Sequence, residues 1–101
     1  MREAAIERHL TRVVRQAGGI SIKILPVTAG VPDRLLVLPG GRLRFVETKA
    51  PGGRLRPVQK AFHARLAKLG VEVTVLSSPE EVRDWIQKEI DSEGQDHTDN
   101  P

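Results

Sequence analysis

The chain has 101 residues, of which 39% are hydrophobic and 29% are charged, a balance typical of one globular domain. It contains no cysteine, which excludes a disulfide scaffold, a Cys-based zinc site and thiol catalysis. No apolar run approaches the ~20 residues that span a bilayer, and charged residues occupy the amino-terminal segment where a signal peptide has an apolar stretch. We therefore expect a small soluble intracellular protein with no membrane partner.

Positive charge is concentrated in the middle of the chain. Residues 42–68 carry 8 basic side chains and the single acid Glu47, whereas residues 69–101 carry 2 basic and 9 acidic side chains. Such a distribution is expected when one surface meets a polyanion and another faces water. A solvated surface of Arg and Lys would explain the composition about as well, so charge alone only makes nucleic acid a plausible partner.

The first half of the chain predicts one helix and three strands. Residues 3–17 place apolar side chains at helical spacing, and two glycines end the pattern. Strands are predicted at residues 20–25, 35–38 and 43–49. Because Pro39-Gly40-Gly41 separates the last two, they should form a hairpin.

The second half alternates helix, strand and helix. Helices are predicted at residues 57–69 and 79–91, on either side of a strand at residues 71–76. Residues 92–101 have no apolar anchor, so we expect them to form a flexible polar tail on a domain of residues 1–91.

The order α-β-β-β-α-β-α predicts an α/β fold in which helices flank a mixed four-stranded sheet. The first three strands should form an antiparallel meander, and the crossover through the second helix should make the fourth strand parallel to the third. The buried stripe of that second helix is predicted from its apolar residues, Val58, Phe62, Leu66 and Leu69.

Two carboxylates are expected to meet at the open end of the hairpin. If the pairing centres on Gly40-Gly41, Asp33 lies opposite Thr48, and a one-residue change in loop length places Asp33 across from Glu47 or Lys49. Strand alternation puts Glu47 and Lys49 on the same face. Paired carboxylates suit a hard divalent cation such as Mg²⁺, and a nearby ammonium group can orient water or neutralise developing charge.

A purely structural role is the alternative for these residues. Glu47 could form a cross-strand ion pair with Lys49 or another base, and Asp33 could be a turn residue after Pro32. The hairpin that brings Asp33 and Glu47 together favours a functional site.

Pro32-Asp33 followed by Glu47-Thr48-Lys49 resembles the PD-(D/E)XK nuclease superfamily. The wider sequence, with its Gly-Gly-Arg-Leu loop and Gln59, is similar to the VRR-Nuc family, in particular to its small stand-alone phage and bacterial members. The similarity extends from about Glu3 to about Ile86.

This resemblance implies a restriction-endonuclease-like core and a DNA nuclease that depends on Mg²⁺ or Mn²⁺. It also implies a structure-selective enzyme that acts on branched or Holliday-junction DNA, and a homodimer, in the cytoplasm of a bacterial or phage-infected cell. A nucleic-acid-binding module on the same fold without cleavage activity is the alternative function.

The resemblance assigns roles to individual residues. The family's metal-binding carboxylates fall on Asp33 and Glu47, and the backbone carbonyl of Thr48 is a further ligand. The catalytic lysine falls on Lys49. Gln59, at the start of the second helix, would orient the attacking water or the lysine.

The superfamily also uses a glutamate of the first helix, for which this chain offers Glu3 and Glu7. Glu7 flanks the apolar stripe and lies eleven residues before Gly18, so we prefer it, although Glu3 stays open. Either acid is also favourable near a helix N-terminus without any metal.

Phosphate contacts are predicted for Arg54 and Arg56 of the loop, for Lys60 of the following helix turn, and for Lys23 of the first strand. Aromatic residues make up only 3% of the chain, so base stacking on an aromatic platform is not expected.

The three histidines, His9, His63 and His97, have no metal-ligand spacing and are interpreted as surface or core residues.

Overall fold

The computed structural model describes residues 1–96, which form one mixed four-stranded sheet flanked by three helices. Strands that follow one another in the sequence are neighbours in the sheet; the first three pair antiparallel, and the third and fourth pair parallel. The predicted fold class, element order and strand directions are therefore confirmed. The elements in chain order are α1 (Glu3–Gln16), β1 (Ile20–Lys23), β2 (Arg34–Leu38), β3 (Arg42–Thr48), α2 (Pro57–Lys68), β4 (Val73–Leu76) and α3 (Pro79–Asp96).

The hydrophobic core lies between one face of the sheet and the helices α1 and α3. Ile6, Leu10 and Val14 follow one another at four-residue spacing along α1, and all three are fully buried. They pack in one cluster with the inward-facing sheet residues and with Val82 and Ile86 of α3. Burial of these apolar side chains is the main contribution to the stability of the fold.

The opposite face of the sheet carries α2, whose contact with the sheet is partly polar. Gln59 is buried, whereas Val58 and Leu69, two residues of the predicted apolar stripe, are 39% and 79% exposed. The inward side of α2 instead follows Gln59, Phe62, His63 and Leu66. The predicted stripe is wrong at both ends because α2 is rotated toward a buried polar group of the sheet, described below.

The β2–β3 hairpin turns through the three residues Pro39–Gly41, and a backbone hydrogen bond of 3.1 Å closes it. Both glycines have positive φ values, 87° and 75°, which L side chains rarely adopt. The loop has three residues, one more than the two-residue turn centred on Gly40-Gly41 that the sequence predicted. Continuing the pairing past Arg34 therefore places Asp33 opposite Glu47 rather than Thr48, which was the one-residue alternative.

The last helix continues beyond its predicted end. The hydroxyl of Ser78 accepts the backbone N–H of Glu81 at 3.1 Å, and the Glu81 carboxylate accepts the N–H of Ser77 at 2.8 Å, which caps the start of α3. The helix then runs to Asp96 rather than ending at residue 91, because main-chain hydrogen bonds can extend an established helix without an apolar side chain in each turn. The rest of the predicted tail, residues 97–101, lies outside the described residues.

No helix within residues 1–96 combines the length and the hydropathy that crossing a bilayer requires.

Gly30 holds the loop between β1 and β2 against α2. Its φ is 84°, and a Cβ there would lie 2.2 Å from the carbonyl oxygen of Val58 and 3.0 Å from the Cβ of Phe62. We expect Gly30→Ala to lower the free energy of unfolding by at least about 2 kcal/mol, because the left-handed backbone alone costs roughly 1–2 kcal/mol and the new methyl meets main chain. Gly41→Ala is the control, since its φ is 75° but nothing lies within 4 Å. If Gly30→Ala and Gly41→Ala lost equal amounts of stability in urea unfolding, this explanation would be contradicted.

Candidate active site

Asp33 lies just before β2 and reaches across to the end of β3. Its Oδ2 accepts two hydrogen bonds of 3.0 Å from Thr48, one from the backbone N–H and one from the side-chain hydroxyl. The preceding Pro32 is fully buried, which anchors the loop on which Asp33 sits. The Asp33 carboxylate is thereby fixed at the carboxyl end of β3.

Glu47 is fully buried on the α2 face of the sheet, next to Asp33. Burial is the largest cause that raises the pKa of Glu47 to about 8, followed by hydrogen bonding to and repulsion from the Asp33 carboxylate. The charge of Glu3 adds to this shift, and the charge of Lys49 opposes it. A buried carboxylate beside a second, partly exposed one that repels it forms a site that a divalent cation would stabilise.

Two side chains of α2 contact the carboxylate of Glu47. The Nε2 atom of His63 lies 3.2 Å from Oε1, and the Nε2 atom of Gln59 donates to Oε2 at 3.5 Å. The Oε1 atom of Gln59 accepts the backbone N–H of Arg56 at 2.8 Å, which orients its amide. Gln59 therefore bonds to Glu47, whereas we predicted that it orients the water or Lys49.

The sequence alone did not identify His63, which we interpreted as a surface or core residue without a role. The signal that could have found it is its position four residues after Gln59, which places both side chains on one face of α2. Burial, the largest cause, and the charge of Lys49 lower the pKa of His63 and favour the neutral imidazole, against the opposing charge of Asp33.

Lys49 directly follows β3 at the edge of this site. Its backbone N–H donates to the carbonyl of Leu76 at 3.0 Å, so the chain is still held against β4 there. The alternation of the strand places Lys49 on the same side as Glu47. The positive charge of Lys49 lowers the pKa of both Glu47 and His63, so its ammonium group is close enough to act on both side chains electrostatically.

Glu7, the preferred helix carboxylate, binds two basic side chains. Its Oε1 is 2.9 Å from the Nζ of Lys23 and 3.0 Å from the Nε of Arg34. Within the described part of the chain, no group of three or more His, Asp or Glu side chains is arranged to hold a metal. The structure therefore brings Asp33 and Glu47 together but does not add Glu7 to the pair.

The predicted phosphate-binding residues differ in their surroundings. Arg54, Arg56 and Lys60 are exposed around the start of α2, close to the Gln59 side of the site. The side chain of Lys23 is 55% exposed, but its ammonium group is paired with Glu7.

Two other arginines of the basic segment have a structural role. Arg42 and Arg44 bind the carboxylate of Glu89 at 2.6 and 2.9 Å, which ties β3 to α3. The segment is therefore less positive toward solvent than its composition indicates.

Of the remaining histidines, His9 lies 2.8 Å from Arg12, measured from Nδ1 to the guanidinium, on α1. His97 lies outside the described residues.

Comparisons with known proteins identify the family. The model of the VRR-NUC domain matches residues 3–80. A candidate nuclease, p44, of Acyrthosiphon pisum secondary endosymbiont phage 1 is 52% identical over 79 residues, which cover 77% of this chain and 85% of that protein. A solved VRR-NUC domain is similar with a TM-score of 0.76 and 30% identity, over 84% of this chain and 94% of that chain. The chain belongs to the VRR-NUC domain family, in agreement with the resemblance of its motifs.

Proposed function

We propose that the protein is a metal-dependent nuclease of the PD-(D/E)XK type that hydrolyses phosphodiester bonds in DNA. Its family and its similarity to the phage protein p44, whose name is that of a candidate nuclease, support nuclease activity. The observation that carries the proposal is the pair formed by Asp33 and Glu47, with Glu47 fully buried and its pKa raised to about 8. A cation between the two carboxylates would relieve their repulsion.

The donor set fits Mg²⁺ or Mn²⁺. Asp33 and Glu47 would supply carboxylate oxygens and Thr48 a backbone carbonyl, which are the hard ligands that these ions prefer. Glu3 is a further candidate because its charge acts on Glu47, and Glu7 would have to release Lys23 and Arg34 to take part. When bound, the cation would polarise a phosphoryl oxygen and activate water.

The side chains around the pair have separate tasks in this proposal. Lys49 holds positive charge beside Glu47, where it can orient the attacking water and stabilise charge that develops on the phosphate. Gln59 fixes one oxygen of Glu47 and joins it to the start of α2 through the N–H of Arg56. The loop that carries Arg54 and Arg56 would bind phosphates next to the scissile one.

This interface can be tested by salt dependence. We expect the double variant Arg54→Ala/Arg56→Ala to bind DNA more weakly, with the slope of log affinity against log salt reduced by roughly 0.9 for each phosphate that is no longer bound. The matched control is Arg83→Ala/Lys88→Ala, which removes two exposed basic residues from α3 on the other side of the sheet. Fluorescence anisotropy at several salt concentrations measures the DNA affinity of both double variants. An unchanged slope in the loop variant would remove Arg54 and Arg56 from the interface.

For the substrate, we propose branched DNA such as a Holliday junction in the cytoplasm of a bacterial or phage-infected cell. The experiment is a cleavage panel with four-way junction, flap, linear duplex and single-stranded DNA, each with Mg²⁺, Mn²⁺ or EDTA. Metal-dependent cleavage that favours the branched substrates supports the proposal. Tight binding without cleavage under every condition would favour the alternative, a nucleic-acid-binding module on the same fold.

We further propose a homodimer, since one metal site cuts one strand and a junction requires two cuts. An exposed apolar surface of the sheet supports it. Ile20 and Leu43 both lie in one cross-strand row with Val37, and Ile22 lies in a neighbouring row. Ile20, Ile22 and Leu43 are 62%, 45% and 58% exposed, respectively. A continuous apolar patch of this kind is typical of a protein–protein contact.

Charge placed on this surface should separate the subunits. We expect light scattering to give about twice the chain mass of 11.2 kDa for the wild type, and a single chain mass for Leu43→Lys. Ile90→Lys is the control, because Ile90 is 39% exposed on α3, which packs on the opposite face of the sheet. A wild type of single chain mass at micromolar concentration would reject the dimer.

A further inference from the structure

Of the two side chains of α2 that contact the buried carboxyl group of Glu47, His63 lies closer. Its Nε2 atom lies 3.2 Å from Oε1, whereas the amide of Gln59 is 3.5 Å from Oε2. The side chain of Glu47 is fully shielded from solvent and that of His63 is only 14% exposed, so their contact lies in the interior of the fold. A buried carboxylate oxygen without a donor is costly, and the tautomer of His63 with its proton on Nε2 can donate to this one.

The two donors from α2 contact the two oxygens of Glu47 from the same side. Because Gln59 and His63 are four residues apart, both project from one face of the helix. Each oxygen keeps lone pairs that these donors do not use. The Asp33 carboxylate, fixed by Thr48, lies across the strand pair from Glu47. Glu47 is thus held in one orientation beside the Asp33 carboxylate.

We propose that His63 is a positioning residue, whose Nε2–H holds Oε1 of Glu47 so that the carboxylate faces Asp33 and a divalent cation. This proposal rests on the proposed function. Hydrogen-bond partners of a metal ligand orient that ligand, and their removal typically costs about 10- to 100-fold in metal affinity. His63 does not itself contact the substrate or the cation.

The test uses two variants of the full chain. His63→Leu removes the donor without adding charge, and His63→Gln keeps an amide N–H near the position of Nε2. We expect His63→Leu to weaken Mn²⁺ binding by about 10- to 100-fold in calorimetry and to raise the Mn²⁺ concentration for half-maximal cleavage equally. The rate at saturating Mn²⁺ should change much less. His63→Gln should restore Mn²⁺ affinity to within about threefold of the wild type.

Thermal unfolding in EDTA checks that both variants are folded. If His63→Leu does not fold, His63→Asn replaces it, since its amide is too short to reach Oε1. Unchanged Mn²⁺ affinity in the donor-free variant would overturn the proposal, and so would an equally large decrease of affinity in His63→Gln. A wild type that neither binds Mn²⁺ nor cleaves DNA would instead overturn the proposed function.

Discussion

Glu47→Gln is expected to abolish cleavage and, at the same time, to stabilise the metal-free protein at pH 8. The change removes, at constant volume, the anionic side chain proposed to bind the cation, so we expect at least about a 1,000-fold loss of the cleavage rate. The stability gain follows from the pKa of Glu47, which is about 8 in the folded protein against an ordinary value of 4.5. Between these values the folded state binds more protons than the unfolded state, so the contribution of Glu47 to stability falls as pH rises.

Two measurements check this prediction. Urea unfolding in EDTA at pH 5.5 and pH 8 measures the free energy of unfolding, and Glu47→Gln should exceed the wild type by more at pH 8 than at pH 5.5. Cleavage is followed with a labelled DNA substrate. Glu72→Gln, which neutralises an exposed glutamate, is the control and should change neither. Full cleavage by Glu47→Gln, or a stability difference that does not depend on pH, would contradict the assignment of Glu47.

Lys49→Ala is expected to lower the cleavage rate by about 100- to 1,000-fold and to leave Mn²⁺ affinity nearly unchanged. In the proposed mechanism, the variant lacks a charge that would stabilise the transition state. Removing this charge has two opposing effects on metal binding. It removes repulsion of the cation, but it also raises the pKa of Glu47 further, because Lys49 lowers that pKa in the wild type.

Single-turnover cleavage and Mn²⁺ calorimetry separate the two quantities. Lys60→Ala serves as the control, since Lys60 is exposed on the first turn of α2. It should affect DNA binding alone. Loss of Mn²⁺ binding in Lys49→Ala would show that Lys49 supports the site structurally, and an unchanged rate would exclude it from the chemistry.

The fold was predictable because its signals are local. Helical spacing of Ile6, Leu10 and Val14 and the glycine turn of the hairpin fix the elements, and short connections restrict their arrangement. The motif residues Asp33 and Glu47 could be brought together from the hairpin alone. The register itself could not be predicted, because it depends on whether the turn has two or three residues.

The environment of Glu47 was harder to predict because it is formed by residues that are distant in the sequence. A stripe of apolar residues was expected to bury α2, but the helix turns Gln59 and His63 inward to satisfy the carboxylate. The spacing of apolar residues along a helix cannot predict which polar side chains will turn inward to bind a buried polar group on another element. The same limit applies to Glu7 of α1, whose spacing favoured a metal ligand but whose partners, Lys23 and Arg34, lie on the strands β1 and β2.

The most direct test of the central claim is a titration of the ¹⁵N-labelled protein with Mn²⁺, followed by nuclear magnetic resonance. Paramagnetic Mn²⁺ broadens the amide signals nearest to its site. At substoichiometric Mn²⁺ we predict selective loss of the signals of Asp33 and of Glu47, Thr48 and Lys49, and no such loss in Glu47→Gln. Broadening confined to the acidic first turn of α3, at Glu80 and Glu81, would contradict a cation site between Asp33 and Glu47.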